Sequence, residues 1–179
     1  MAPCLLLLPL FFHNSDVDGP RLVRFAREIV QAEVRHAAPP PMRDFGRASP
    51  VFVTIERNGQ ILGCRGSLAP RRATLAEELV DTARGAAAHD PRYRPVREQD
   101  LNGFLVTVTV VDRLEPISDA HGIRPEDGLV LSSGSKKGVV LPWEGKDPAL
   151  RLKWAYQKAG VPVGSAVTLQ RMVAERWRG

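Results

Sequence analysis

Hydrophobic positions recur with helical spacing in three segments of this chain, and each segment carries signals for its ends. The first begins at residues 18–20 and stops at a proline-rich stretch that no helix can continue through. The second follows Thr74, which together with Glu77 fits a capping box. The third lies between Asp147 and Gly160, residue types that favour the start and the end of a helix. The pattern therefore predicts three amphipathic helices.

Other parts of the chain alternate between hydrophobic and polar positions, which is the spacing of strands. The clearest run is FLVTVTVVDRL at residues 104–114. Residues 166–177 alternate as well, although their apolar residues also fit one helical face, and we favour a strand. The runs at 129–131 and 139–141 predict a hairpin that turns within residues 133–138.

The strongest local signal is Asn58-Gly59 between two apolar runs, because both residues tolerate the positive φ of a two-residue hairpin turn. Such a turn fixes the register of its strands. Counting outward from it places Ile55 opposite Leu62 and Val53 opposite Cys64. The register thus predicts that Cys64 packs on an apolar face beside Val53.

Hairpins and helices are mixed along the chain without a regular βαβ alternation. This mixture predicts an α+β fold built on an antiparallel sheet with flanking helices. Residues 19–179 are expected to form one domain, and residues 1–18 an N-terminal extension. The apolar stretch at residues 5–12 is too short to span a bilayer. It has three interpretations: a misassigned start codon, an arm that packs on the body, or a degenerate signal peptide.

Composition narrows the class of protein. Hydrophobic residues make up 44% and charged residues 25% of the 179 residues, as in soluble globular proteins. The formal net charge is +5, but no basic block and few aromatic residues (6%) accompany it, which argues against nucleic-acid binding. The two cysteines, Cys4 and Cys64, make neither a disulfide framework nor a zinc motif. We expect a cytoplasmic protein without membrane, metal or cofactor.

Cys64 is the first candidate for chemistry. It stands in ILGCRGSL, where Gly63, Arg65 and Gly66 surround it. A reactive thiol needs a nearby cation, histidine or helix N-terminus, whereas a thiol on an apolar face is an inert small side chain. Both interpretations are open, and we favour the structural one. Glycines in a strand also occur where a ligand or another backbone approaches closely.

Two loops and one histidine are further candidates. The segment GCRGSLAPRR at 63–72 combines glycines, Ser67 and three arginines that could hold an anion, and SSGSKKG at 132–138 combines glycine, hydroxyl and lysine groups. Neither matches a P-loop. His121 in AHGI is either a base or ligand contact, or an ordinary loop residue.

Several of these pieces together resemble the AMMECR family. ILGCRGSL after an Asn-Gly turn resembles the family's Leu-Arg-Gly-Cys-Ile-Gly signature, HDPRYRPV resembles its Arg-Asp-Pro-Arg-Phe-x-Pro-Val segment, and HGI, VLP and QKAGVP follow in the family order over residues 19–177. The resemblance implies an α+β fold with a larger and a smaller lobe and a cleft between them. It also implies Memo-like and radical-SAM proteins as partners. The residues it places in the cleft are Gly63, Cys64, Gly66, Asp90, Pro91, Arg92 and His121.

Three positions depart from the family pattern. Leu62 stands where the family has arginine, and Arg65 where it has isoleucine. In the predicted register, this exchange moves a positive charge from the face of Cys64 to the opposite face. Trp143 replaces the glutamine that follows Leu-Pro in the family.

Two hypotheses of function follow. The first is a module that binds a small ligand or a partner through Gly63, Arg65, Gly66, Ser67, Asp90 and Arg92. The second is an enzyme of a modification pathway that transfers a group on a small anionic substrate, with Cys64 as nucleophile or thiolate and His121 as base. We favour the binding module.

Overall fold

The computed structural model describes residues 17–179, and the predictions on Cys4 and on residues 1–16 lie outside the described residues. The helices are α1 (Gly19–Val34), α2 (Leu75–Ala88) and α3 (Pro148–Ala159). The strands are β1 (Val51–Arg57), β2 (Gln60–Gly66), β3 (Leu105–Ile117), β4 (Gly128–Ser133), β5 (Lys136–Val140) and β6 (Thr168–Arg178). A short 3-10 helix, Glu98–Leu101, lies between α2 and β3.

The residues predicted to start the three helices form N-terminal caps. The Asp18 carboxylate accepts the Arg21 N–H at the start of α1, and Asp147 accepts two N–H groups at the start of α3. Thr74 and Glu77 form the capping box of α2. These side chains satisfy N–H groups that have no partner within the helix.

The six strands form one antiparallel sheet in the order β2-β1-β3-β6-β4-β5. The strand predicted for the tail is confirmed, because β6 pairs with both β3 and β4. The second hairpin is also confirmed, but it turns more tightly than expected. Lys136 and Lys137, which we placed in a loop, lie in β5.

All three helices cover the same face of the sheet, which we call the outer face. Val53 and Ile55 of β1 point to this face and join the core beneath α1 and α2. Leu129 and Leu131 of β4 point the same way and pack under α3. The predicted α+β class with an antiparallel sheet and flanking helices is confirmed.

The opposite, inner face carries a third and smaller core. It joins the two ends of the sheet and consists of Phe52, Val111, Val130, Leu141 and Met172. Side chains of β2 and β5, the two outermost strands, line the same cavity on this face. The sheet is therefore curled, and its inner face is concave.

The predicted register of the first hairpin is wrong beyond its second pair. Arg57 faces Gln60 and Glu56 faces Ile61 as expected, but Ile55 then faces Gly63 because Leu62 is the extra residue of a β-bulge. Every side chain of β2 after the bulge therefore lies on the face opposite to the predicted one.

The bulge places Cys64 opposite Thr54 instead of Val53, and Arg65 opposite Val53. Cys64 therefore faces the inner cavity. Leu62 packs against the core beneath α1 and α2, and the stem of Arg65 lies beside Gly85 of α2. Both exchanged positions are on the outer side, so the predicted movement of charge between faces is wrong.

Candidate functional site

A cleft of about 640 Å³ occupies the inner face of the sheet. Its floor is formed by β1, β3 and β6, which contribute Thr54, Thr107, Thr109 and Arg176. One wall is formed by β2 and residues 91–93. The facing wall is formed by β5, residues 142–144 and Lys158.

Cys64 is partly buried in the wall formed by β2. Its Sγ lies 3.2 Å from Thr54 Oγ1, which donates a hydrogen bond to it. Its backbone N–H donates to Asp90 Oδ2 (2.9 Å), and its carbonyl accepts from the Arg92 guanidinium. The N–H and the carbonyl of Cys64 therefore both connect β2 to the loop after α2.

Asp90 is the centre of this connection. Its carboxylate, 2% exposed, accepts from the Cys64 N–H, from the Arg92 N–H (3.1 Å) and from Arg92 Nε (2.9 Å) and Nη2 (2.8 Å). Burial alone would raise the pKa of Asp90, but the hydrogen bonds from Arg92 and Cys64 outweigh it and lower the pKa to about 2. Asp90 is ionised at neutral pH and fixes the orientation of Arg92.

Arg92 connects this buried carboxylate to the cleft. Its ion pair with Asp90 holds the pKa of the guanidinium above its usual range, and 53% of its side chain is exposed. The guanidinium carbon also lies 5.5 Å from the centre of the Tyr93 ring, within the range of a cation–π contact. Arg92 therefore presents a fixed positive charge at the edge of the cleft.

The thiol of Cys64 is not activated by these neighbours. Burial raises its pKa, and the hydrogen bond from Thr54 and the charge of Arg92 offset this effect only in part. A protonated thiol is a weak nucleophile. The geometry thus favours Cys64 as a packed side chain of the cleft wall.

His121, our candidate base, lies in a different place. It lines a groove of about 600 Å³ formed by the end of β3, one side of α3 from its first residue to Tyr156, and the start of β6. Its ring is 95% exposed, and Nδ1 lies 3.1 Å from Asp119 Oδ1. The structure brings Cys64, Asp90 and Arg92 together, but not His121.

Gly63 and Gly66 have structural reasons for lacking a side chain. A Cβ on Gly63 would lie 2.0 Å from the carbonyl oxygen of Ala86 in α2, and one on Gly66 would lie 2.1 Å from the Phe52 ring. Of the two expected causes of a close approach, a ligand or another backbone, the Ala86 backbone makes it at Gly63, and the Phe52 side chain makes it at Gly66. Ser67 is occupied locally, since its hydroxyl exchanges hydrogen bonds with the backbone of Ala69.

Positive charge dominates the lining of the cleft. Five cationic side chains line it, namely Arg71, Arg92, Lys137, Lys158 and Arg176, and Arg65 borders it from the edge strand with its stem on the outer side. The two carboxylates of the lining are already paired, Glu56 with Arg178 (3.2 Å) and Glu144 with Lys158. The cleft is suited to an anion, as low-dielectric walls of one charge focus the electrostatic field.

Arg176 is the residue that our sequence analysis missed. It lies on the floor of the cleft opposite Thr109, where burial lowers the pKa of its guanidinium. Within residues 17–179, no carboxylate oxygen lies within 4 Å of this guanidinium. The alternating pattern of residues 166–177 indicated a strand, but which face of the sheet Arg176 lies on depends on the pairing of β6 with β3.

Among the described residues, no group of three or more His, Cys, Asp or Glu side chains is arranged to hold a metal ion. No helix in residues 17–179 combines the length and the apolar character that crossing a membrane requires.

Comparison with known proteins gives a family and a fold. A model of the AMMECR1 family matches residues 23–179. A protein of Aeropyrum pernix is 34% identical over 185 aligned residues, covering 92% of this chain and 80% of its own length. A protein of Thermotoga maritima is 34% identical over 143 residues, covering 77% of this chain and 82% of its own length.

The crystal structure of the uncharacterized protein PH0010 from Pyrococcus horikoshii has the same fold. It superposes with a TM-score of 0.75 at 26% identity, over 89% of this chain and 90% of that chain. The names of these three relatives state no activity.

Proposed function

Because the chain belongs to the AMMECR1 family and its inner cleft is lined by an excess of cations, we propose that this cleft binds a small anionic ligand. The cleft volume of about 640 Å³ is within the range of small-molecule sites. The side chains that would hold the anion are Arg176 on the floor, Lys137 on one wall and Arg92 on the other.

Arg176 is the observation that carries the proposal. A guanidinium that is partly withdrawn from water loses hydration, and a nearby carboxylate usually restores that loss. The charge of Glu56 offsets this loss only in part, because no carboxylate oxygen lies within 4 Å of the Arg176 guanidinium among residues 17–179. An anion in the cleft would supply the missing partner.

Catalysis by Cys64 has less support. The thiol has a raised pKa, and His121 is in another groove. The proposal therefore gives Cys64 no role in chemistry, and Cys64→Ser should leave ligand affinity within about twofold. Memo-like and radical-SAM partners and a cytoplasmic location stay predictions.

The binding test uses two simple anions, inorganic phosphate and succinate, titrated into the full chain at constant ionic strength. We expect saturable chemical-shift changes in the amides of residues 64, 92 and 176, and a rise in melting temperature with ligand concentration. Arg176→Gln and Lys137→Gln should each weaken binding about tenfold, and Arg176→Lys should restore part of it.

Lys153→Gln is the matched control. Lys153 is exposed on α3 and does not line the cleft. Its replacement by glutamine removes one positive charge, as Arg176→Gln does, but far from the proposed site. We expect an unchanged affinity in this variant. An equal loss in Lys153→Gln and Arg176→Gln, or no saturable binding of either anion, would overturn the proposal.

A further inference from the structure

Trp143 stands at the edge of the cleft, in the turn after β5. It is 54% exposed and is one of few large apolar side chains with such exposure in residues 17–179. No cation–π or ring–ring contact involves its indole within that part of the chain. The ring is therefore available to a ligand in the cleft.

The backbone of Trp143 adopts a conformation that a bulky residue rarely takes. Its φ is +64°, in the left-handed region that favours glycine. Such strain persists only where the surroundings impose it, and it is frequent at ligand sites. The Trp143 N–H donates to the Pro125 carbonyl (2.6 Å), which fixes the turn.

A buried arginine supports this turn from behind. Arg151 is fully buried in α3, and its guanidinium donates to the carbonyls of Arg124 (2.8 Å) and Asp127. These carbonyls flank Pro125, which holds Trp143. Gly145 is packed so closely that a Cβ there would lie 2.5 Å from the Trp154 ring. Trp143 is thus held by a supported loop, as side chains of preorganised sites are.

From this geometry, and resting on the proposed anion-binding function, we propose that Trp143 stacks on a planar ring carried by the anion. The ligand class is then an anion with an aromatic ring, for which a nucleoside monophosphate is the simplest representative. The cations of the cleft hold the anionic group, and the indole provides a flat apolar surface for the ring.

The floor of the cleft suits the polar part of such a ligand. Thr107 and Thr109 are buried there, and Glu56 lies beside Thr107. Hydroxyl and carboxylate oxygens can accept hydrogen bonds from the hydroxyl and amino groups of a nucleoside. A purely apolar ligand would leave Arg176 and Lys137 without an anionic partner.

The test compares AMP with ribose 5-phosphate, which has the same phosphate and sugar but no ring system. Both are titrated into the full chain and into Trp143→Asn, a variant whose new residue tolerates positive φ. We expect AMP to bind wild type about tenfold more tightly than ribose 5-phosphate. Trp143→Asn should abolish this preference without weakening ribose 5-phosphate, and Trp143→Phe should keep most of it.

Val163→Asn is the matched control, because Val163 is also exposed and apolar but does not line the cleft. It should keep the tenfold preference. Equal affinities for the two probes in wild type, or an unchanged preference in Trp143→Asn, would overturn the role of Trp143. In that case, saturable ribose 5-phosphate binding that Arg176→Gln weakens would leave the proposed function standing. Absence of binding by both probes and by inorganic phosphate would overturn both.

Discussion

Two buried carboxylates that accept several hydrogen bonds link the stability of this protein to pH. Asp90 and Asp100 are both buried and both have a pKa of about 2. At Asp90, burial opposes and the hydrogen bonds from Arg92 and Cys64 produce the shift. At Asp100, the ion pair with Arg94 is the largest cause. Only Asp90 adjoins the cleft.

Both carboxylates should stabilise the fold above the pKa of the unfolded chain, about 3.9. Since the folded pKa values are depressed, this contribution is complete above about pH 4 and is lost as pH falls through about 2. Arg92 and Arg94 are half exposed, so after screening we expect about 1–2 kcal/mol from each carboxylate. Urea unfolding of wild type, Asp90→Asn and Asp100→Asn between pH 2 and 7 measures it.

Each variant should be less stable than wild type at pH 7, and the difference should shrink towards pH 2. Asp100→Asn serves as the control for function, because Asp100 does not line the cleft and its removal should leave anion affinity unchanged. A difference from wild type that stays constant down to pH 2 would contradict the linkage.

Some of these residues could be named from the sequence, and others could not. Cys64 was a candidate from its own neighbours in the sequence, whereas Asp90 and Arg92 were named through the family resemblance, since spacing alone does not show that residues 26 apart share a hydrogen bond. His121 was grouped with them, but the chain carries it to another groove. Arg176 was missed because its position depends on pairing with β3.

At the scale of elements, the hairpin β1–β2 is defined by its contact with α2 as much as by its turn. The Asn58-Gly59 turn determines the first two pairs, and the bulge at Leu62 then reverses the faces. A turn signal carries no information about a bulge that lies three residues later. The helices were easier to predict, because their caps and their apolar faces are local.

Gly63→Ala should destabilise the protein by about 2–3 kcal/mol, because its Cβ would overlap the backbone carbonyl of Ala86, which cannot move without shifting α2. Gly122→Ala is the matched control. A Cβ on Gly122 meets no atom within 4 Å, and its stability should change by less than about 0.5 kcal/mol. Urea unfolding at neutral pH compares the two.

The same pair of variants separates packing from ligand contact. If Gly63→Ala keeps wild-type stability but loses anion affinity, then Gly63 contacts the ligand, as our sequence analysis expected. If stability falls as predicted, the glycine serves the packing of β2 on α2.

At the scale of the whole molecule, one continuous sheet carries both walls of the cleft. The resemblance implied a larger and a smaller lobe, and the helices do group as α1 with α2 at one end and α3 at the other. However, β3 and β6 pair along most of their length, and the inner core joins both ends of the sheet. Local patterns could not reveal this continuity, since it depends on strands far apart in the chain.

The continuity predicts that both ends unfold together. Leu79 lies in the core beneath α2 and Leu131 in the core beneath α3, and both are fully buried. Truncation of either to alanine should cost about 2–5 kcal/mol. In scanning calorimetry, each variant should shift a single transition whose van't Hoff and calorimetric enthalpies agree. If instead Leu131→Ala splits off an earlier transition while Leu79→Ala does not, then the two ends are separate folding units, and the cleft opens when one of them unfolds.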